Sequence, residues 1–119
     1  MTMTEPTRIF HNPRCSKSRQ TLELLQQHGI EPEIIRYLET PPTVQELLHI
    51  LDLLDCEARR IMRTKEPEYR EQGLDNPELT REQLVKAMVT TPKLIERPIV
   101  LANGKAAIGR PPENVLDIL

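Results

Sequence analysis

Along the chain the spacing of apolar residues changes period several times, and each change marks an element. Thr7-RIFH-Asn12 sets Ile9 and Phe10 in a β-favouring run and predicts a first strand. Asn12-Pro13 ends it, because proline has no N–H for a ladder and biases its predecessor away from helix. From Ser16 the spacing turns helical, SKSRQTLELLQQHG, with Leu22, Leu25 and Leu24 as the apolar face and Gly29 as the stop. Glu33-IIRYL-Glu39, β-branched and aromatic, predicts a second strand. Strand, helix and strand in this order favour a parallel pair with a right-handed crossover.

Thr40-Pro41-Pro42 interrupts the pattern. Thr43-V-Q-Glu46 then forms a capping box that opens a helix over ELLHILDLL. Cys56-EARRIMR-Thr64 predicts another helix, Tyr69-REQ-Gly73 a short one, and Thr80-R-E-Gln83 is a second capping box before EQLVKAMV. Strands return at Pro98-IVL-Ala102 and Lys105-AAI-Gly109. They are joined by Asn103-Gly104, a dipeptide suited to the tight turns of hairpins. Pro111-PENVLDI-Leu119 suits a closing helix with proline in its first turn.

The order is β-α-β, a helical block over about 43–90, then β-β-α. The two flanking halves can share one four-stranded mixed sheet with helices on both faces. This is an α/β architecture, the thioredoxin-like fold with a helical insertion, and residues 1–119 are expected to form a single domain. The turn after the first strand then lies at the carboxyl end of a parallel strand, where open α/β sheets place their ligands.

Composition narrows the function. A chain of 119 residues can bury a core without metal or disulfide support. A net charge of −2 argues against a general nucleic-acid binder. The two cysteines, Cys15 and Cys56, form no C-x-x-C pair, and no Cys/His spacing suits zinc, so no metal is expected. The segment MTMTEPTRIF has neither a basic start nor an apolar core, so no signal peptide is expected. No apolar run nears the roughly 18 residues of a membrane span. The expectation is a cytoplasmic monomer with its thiols reduced.

Cys15 stands in that first turn, within HNPRCSKSR. Only a thiolate attacks, and a free thiol titrates near about 8.5. The start of a helix favours negative charge, and His11, Arg14, Lys17 and Arg19 lie close in sequence. The same features suit an oxyanion, so one loop can both generate a nucleophile and hold its target. The plainer alternative, a small filler beside the first turn, fits this setting less well. It fits Cys56, whose neighbours Asp55 and Glu57 disfavour a thiolate. Arg63 and Arg110 taken alone read as a helix-end charge and a turn residue. Arg97 stands between a helix and a buried strand.

HNPRCSKSR, YLETPPT, RRIMRTKEPEYREQGL, ERPIV and IGRPPENVLDIL together resemble the ArsC family, the glutaredoxin-coupled arsenate reductases, from about Arg8 to Leu119. The resemblance implies the thioredoxin-like fold with a helical insertion. It implies that Cys15 attacks arsenate or a similar oxyanion and that Arg63, Arg97 and Arg110 bind it. It further implies that His11 and Ser18 tune the thiolate and that Pro98 is cis beside the site. Guanidinium groups suit tetrahedral oxyanions because they present fixed, bidentate donors. No bound cofactor is implied; glutathione is the co-substrate and glutaredoxin the partner, with neither nucleic acid nor membrane involved. Two departures stand out: the best-known members carry a loop like CGTSR where this chain has CSKSR, with Ser16 for a glycine and Lys17 as an added charge, and this sequence reaches Leu119 within the final helix where those members have a longer tail. Four other readings remain: a thiol-dependent reductase or a glutathione-binding protein acting elsewhere, a regulator of RNA polymerase of the Spx-like branch, and a phosphatase. Ser18 denies the regulator its C-x-x-C switch, and Arg19 sets C-x3-R where phosphatases use C-x5-R.

Overall fold

The computed structural model describes residues 6–119. The expectation of no signal peptide rests partly on residues 1–5 and lies outside them. The chain divides into two compact units. The first joins the chain up to Thr40 with Arg97–Leu119, and the second is Pro41–Glu96.

In the first unit, β1 (Arg8–Phe10), α1 (Ser16–Gln27) and β2 (Glu33–Ile35) form the expected crossover, with β1 and β2 parallel. β3 (Ile99–Ala102) and β4 (Lys105–Ile108) form the hairpin, turning through Asn103 (φ 55°) and Gly104 (φ 71°). Positive φ at both turn positions matches the strand twist, which is why Asn-Gly sits there. β3 pairs antiparallel with β1, so the four-stranded mixed sheet has the order β2-β1-β3-β4.

Register decides the core. Ile9 lies opposite Val100, and Val100 opposite Ala107, so all three share a face. Leu25 of α1, and Val115 and Ile118 of the closing 3-10 helix Pro112–Ile118, pack on that face. Phe10 and Ile99, which point to the opposite face, are buried as well.

Three details depart from the sequence pattern. The second strand ends at Ile35 because the Arg36 carbonyl accepts the N–H groups of Glu39 and Thr40, closing a turn that buries Tyr37. The closing helix is 3-10 throughout. Pro111 and Pro112 remove N–H donors at its start, and the Asn114 N–H reaches the Pro111 carbonyl. The third is the buried stripe of α1, which is Ser18, Thr21 and Leu25, whereas Leu22 and Leu24 are only partly covered. Small polar side chains are tolerated there because Ser18 pairs with His11 and the Thr21 hydroxyl bonds back to the Lys17 carbonyl.

The second unit holds α2 (Val44–Leu54), α3 (Pro67–Glu71) and α4 (Arg81–Thr90), with 3-10 turns at Ala58–Ile61 and Pro92–Leu94. Both capping boxes form, Thr43 with Glu46 and Thr80 with Gln83. α2 packs against α4. The helix expected over Cys56–Thr64 shrinks to the 3-10 turn. Asp55 takes a left-handed conformation (φ 52°) that ends α2, and Met62 turns extended to bridge Ile95. Arg59 clamps the following loop, giving Nε to the Tyr69 hydroxyl (3.2 Å) and Nη2 to the carbonyls of Leu74 (3.1 Å) and Asn76 (2.6 Å). Among the described residues no helix is long and apolar enough to cross a membrane.

Candidate active site around Cys15

The site begins where β1 runs out. The His11 N–H still bonds the Ile35 carbonyl (2.8 Å), and then the chain turns. Asn12 organises the turn. Its side-chain oxygen accepts the Arg14 N–H (3.0 Å) and its carbonyl accepts the Cys15 N–H (3.0 Å). Cys15, extended at φ −95° and ψ 123°, is the N-cap of α1, and its carbonyl takes the Arg19 N–H (3.0 Å). The Arg19 guanidinium folds back onto the Pro13 carbonyl (3.0 Å) and ties the loop shut.

Cys15 is largely covered, with 8% of its surface exposed. Burial by itself pushes the thiol up. The Ser18 N–H, the Arg97 guanidinium and the Lys17 N–H act against it and together hold the thiol below its ordinary value. Those two N–H groups belong to the first turn of α1. They close no full cap hydrogen bond with the sulfur, yet their dipoles favour its anion. The expected cations of the loop are thus replaced. Among the loop's cations Lys17 acts on Cys15 through its backbone N–H, and the guanidinium that lowers the thiol is that of Arg97.

Arg97 and Arg110 reach the sulfur from the other end of the unit. Arg97 precedes β3, and its bond to Pro98 is cis. Arg110 follows β4, its Nη1 lying 3.9 Å from Cys15 Sγ and 3.3 Å from the Arg97 carbonyl. The bond from Arg110 to Pro111 is also cis, which nothing in the sequence pattern announced.

His11 and Ser18 form a buried pair, His11 Nδ1 to Ser18 Oγ at 2.6 Å, and the Asn12 N–H donates to the same oxygen at 3.0 Å. Burial first, then the charges of Arg36 and Arg19, lower the His11 pKa and favour the neutral ring. The pair thereby fixes the loop to the helix directly beneath the N-cap.

Arg63 belongs to the second unit. Its Nη2 lies 2.9 Å from Glu66 Oε1, and Lys93 joins the chain of charges by contacting Glu66 and Glu68. Glu66 and Glu68 therefore form an ion-paired cluster with Arg63 and Lys93. Cys56, in the same unit, is half-buried and has its thiol raised, by burial first and by Asp55, against the pull of Arg60 and Arg81. Among the described residues no three His, Cys, Asp or Glu side chains gather in a set that could hold a metal ion. Sequence reasoning missed Thr21 and Gly109. A Cβ on Gly109 would stand 2.5 Å from Thr21 Oγ1 and 2.8 Å from Pro98 Cγ. The signal available was the glycine immediately before Arg110.

A four-stranded mixed sheet with a cysteine capping the first helix, and a cis proline opening the third strand, defines a thioredoxin-like protein built around a single thiol. The chain belongs to the ArsC family, whose model matches residues 10–118. It is 56% identical to "Uncharacterized protein YfgD" of Escherichia coli K12 over 120 aligned residues, which covers 98% of this chain and 99% of that one. An arsenate reductase of Neisseria meningitidis serogroup B is 54% identical over 113 residues, covering 94% and 97%. The solved structure of an arsenate reductase from Vibrio cholerae superposes with a TM-score of 0.94 at 51% identity, covering 98% of this chain and all of that one.

Proposed function

We propose that this protein is an arsenate reductase of the glutathione- and glutaredoxin-dependent kind. The observation that carries the reading is the placement of the Cys15 sulfur between the helix start and two arginines, Arg97 and Arg110. Relatives of matching length named arsenate reductase support it.

The Cys15 thiolate attacks arsenic, a sulfur–arsenic bond forms, and one arsenate oxygen leaves as water after protonation. The guanidinium groups offset the negative charge of the bound anion and of the departing oxygen. Cys15 has no second cysteine in its loop, so an external thiol must complete the reduction. A glutathione thiol forms the disulfide with the Cys15 sulfur. The two sulfurs lose one electron each, and arsenic takes both to become arsenite. Glutaredoxin then exchanges its thiolate into the mixed disulfide and frees Cys15. The protein acts as a monomer in the reducing cytoplasm.

The test is a coupled assay with arsenate, glutathione, glutaredoxin and a reductant-regenerating system. Turnover by the wild type, its loss in Cys15→Ser and its retention in Cys56→Ser are expected. A wild type that shows no arsenate-dependent turnover overturns the reading and leaves a thiol reductase acting on another substrate.

A further inference from the structure

Thr21 is the feature of the first unit that the chemistry above leaves unused. It is fully buried, on the helix that Cys15 caps. Its hydroxyl lies 2.8 Å from the Lys17 carbonyl and 3.4 Å from the Gly109 carbonyl. One proton serves the shorter bond, and a helical threonine commonly bonds back in this way. That bond satisfies the hydroxyl but does not account for what lies on its other side. The end of β4 comes so close that a Cβ on Gly109 would stand 2.5 Å from Thr21 Oγ1 and 3.0 Å from Thr21 Cγ2. The same backbone is held from the sheet side, where the Gly109 N–H donates to the Pro98 carbonyl (2.9 Å). The next residue is Arg110, whose guanidinium reaches both the sulfur and the Arg97 carbonyl.

We propose that Thr21 is a positioning residue for Arg110, with Gly109 seated flush on its side chain so that the guanidinium is held at the Cys15 sulfur. The proposal deepens the functional reading above and rests on it for its purpose, the binding of an oxyanion. α1 then sets both partners of the site. Its first N–H groups favour the thiolate, and through one threonine it fixes where β4 delivers the cation. A methyl in place of the hydroxyl is bulkier and donates nothing, so it pushes Gly109 away and Arg110 with it.

Alkylation of Cys15 by anionic iodoacetate and neutral iodoacetamide tests this without any substrate, because the ratio of the two rates reports positive charge beside the sulfur. Cys56→Ser serves as the background. Thr21→Val and Arg110→Ala are each expected to lower the ratio at least about threefold. Thr21→Ser, which keeps the hydroxyl, is expected to retain the wild-type ratio. In the Arg110→Ala background Thr21→Val is expected to add nothing. The pH midpoint of iodoacetamide alkylation is expected to rise in Thr21→Val as in Arg110→Ala, since the charge lost beside the sulfur also favours the thiolate. Should Thr21→Val fold poorly, Thr21→Ala empties the contact and is expected to lower the ratio likewise. An unchanged ratio in both variants overturns the proposal. So does a further fall in the Arg110→Ala background. Protection of Cys15 by inorganic arsenate, measured in the same reaction, separates the two ideas. A wild type left unprotected, with a ratio that still depends on Thr21 through Arg110, defeats the arsenate reading and upholds the positioning.

Discussion

At the scale of single residues the competition at Cys15 is between burial and three favourable groups, and the favourable groups win. The midpoint of Cys15 alkylation against pH is therefore expected below the free-thiol value of about 8.5. Arg97→Ala is expected to raise it, because that guanidinium acts on the sulfur directly. Arg14→Ala is expected to move it little, since Arg14 is exposed and its charge does not figure at the thiol. His11 has the opposite consequence for stability. Its folded pKa lies below its ordinary value, so the native state holds fewer protons there than the unfolded chain. Stability from this group is complete above about 6.5 and is lost as pH falls from there through the lowered folded value. Urea denaturation at pH 7.5 and at pH 5.5 should show it, the stability difference between wild type and His11→Gln shrinking at the lower pH. A difference that grows on acidification would mean that the ring is charged in the native state.

Elements were the most legible level, because caps, turn dipeptides and apolar periods are local signals. Thr43 and Thr80 each sit three residues before a Glu or Gln, and both boxes close as their spacing implies. Thr43→Ala is expected to cost about 1 kcal/mol, read as a lower urea midpoint at unchanged slope. An unchanged midpoint would mean that the cap contributes nothing beyond what water supplies. Legibility failed where a local preference met a distant partner. Cys56–Thr64 has helical spacing, yet the left-handed Asp55 and the Met62–Ile95 bridge leave only a 3-10 turn. In α1 the leucine spacing marks only part of the buried face, because Ser18 and Thr21 are buried ahead of Leu22 and Leu24. Only the sites they meet, His11 and Gly109, explain that, and these lie outside the helix.

For the molecule, the decisive fact is that the first unit is assembled from both ends of its chain. Ile9, Leu25, Val100, Val115 and Ile118 form one core, so the helix start that holds Cys15 and the strands that carry Arg97 and Arg110 depend on the same packing. Leu25→Ala is expected to lower stability by about 2–5 kcal/mol in chemical denaturation. Loss of the low alkylation midpoint should follow the same unfolding curve; a midpoint that survives after this core has melted would separate the thiol's setting from the fold. By itself the sequence determined the strands, the hairpin, the caps and the cysteine at a helix start, because each follows from neighbours along the chain. It also placed many cations near that cysteine, and here proximity in sequence misled. Arg19 turns back to Pro13, while Arg97 and Arg110 arrive at the sulfur, the latter from 95 positions away. Only the tertiary structure decided that, because a side chain's reach is set by strand register and by the close seating of Gly109, neither of which any local stretch of residues encodes.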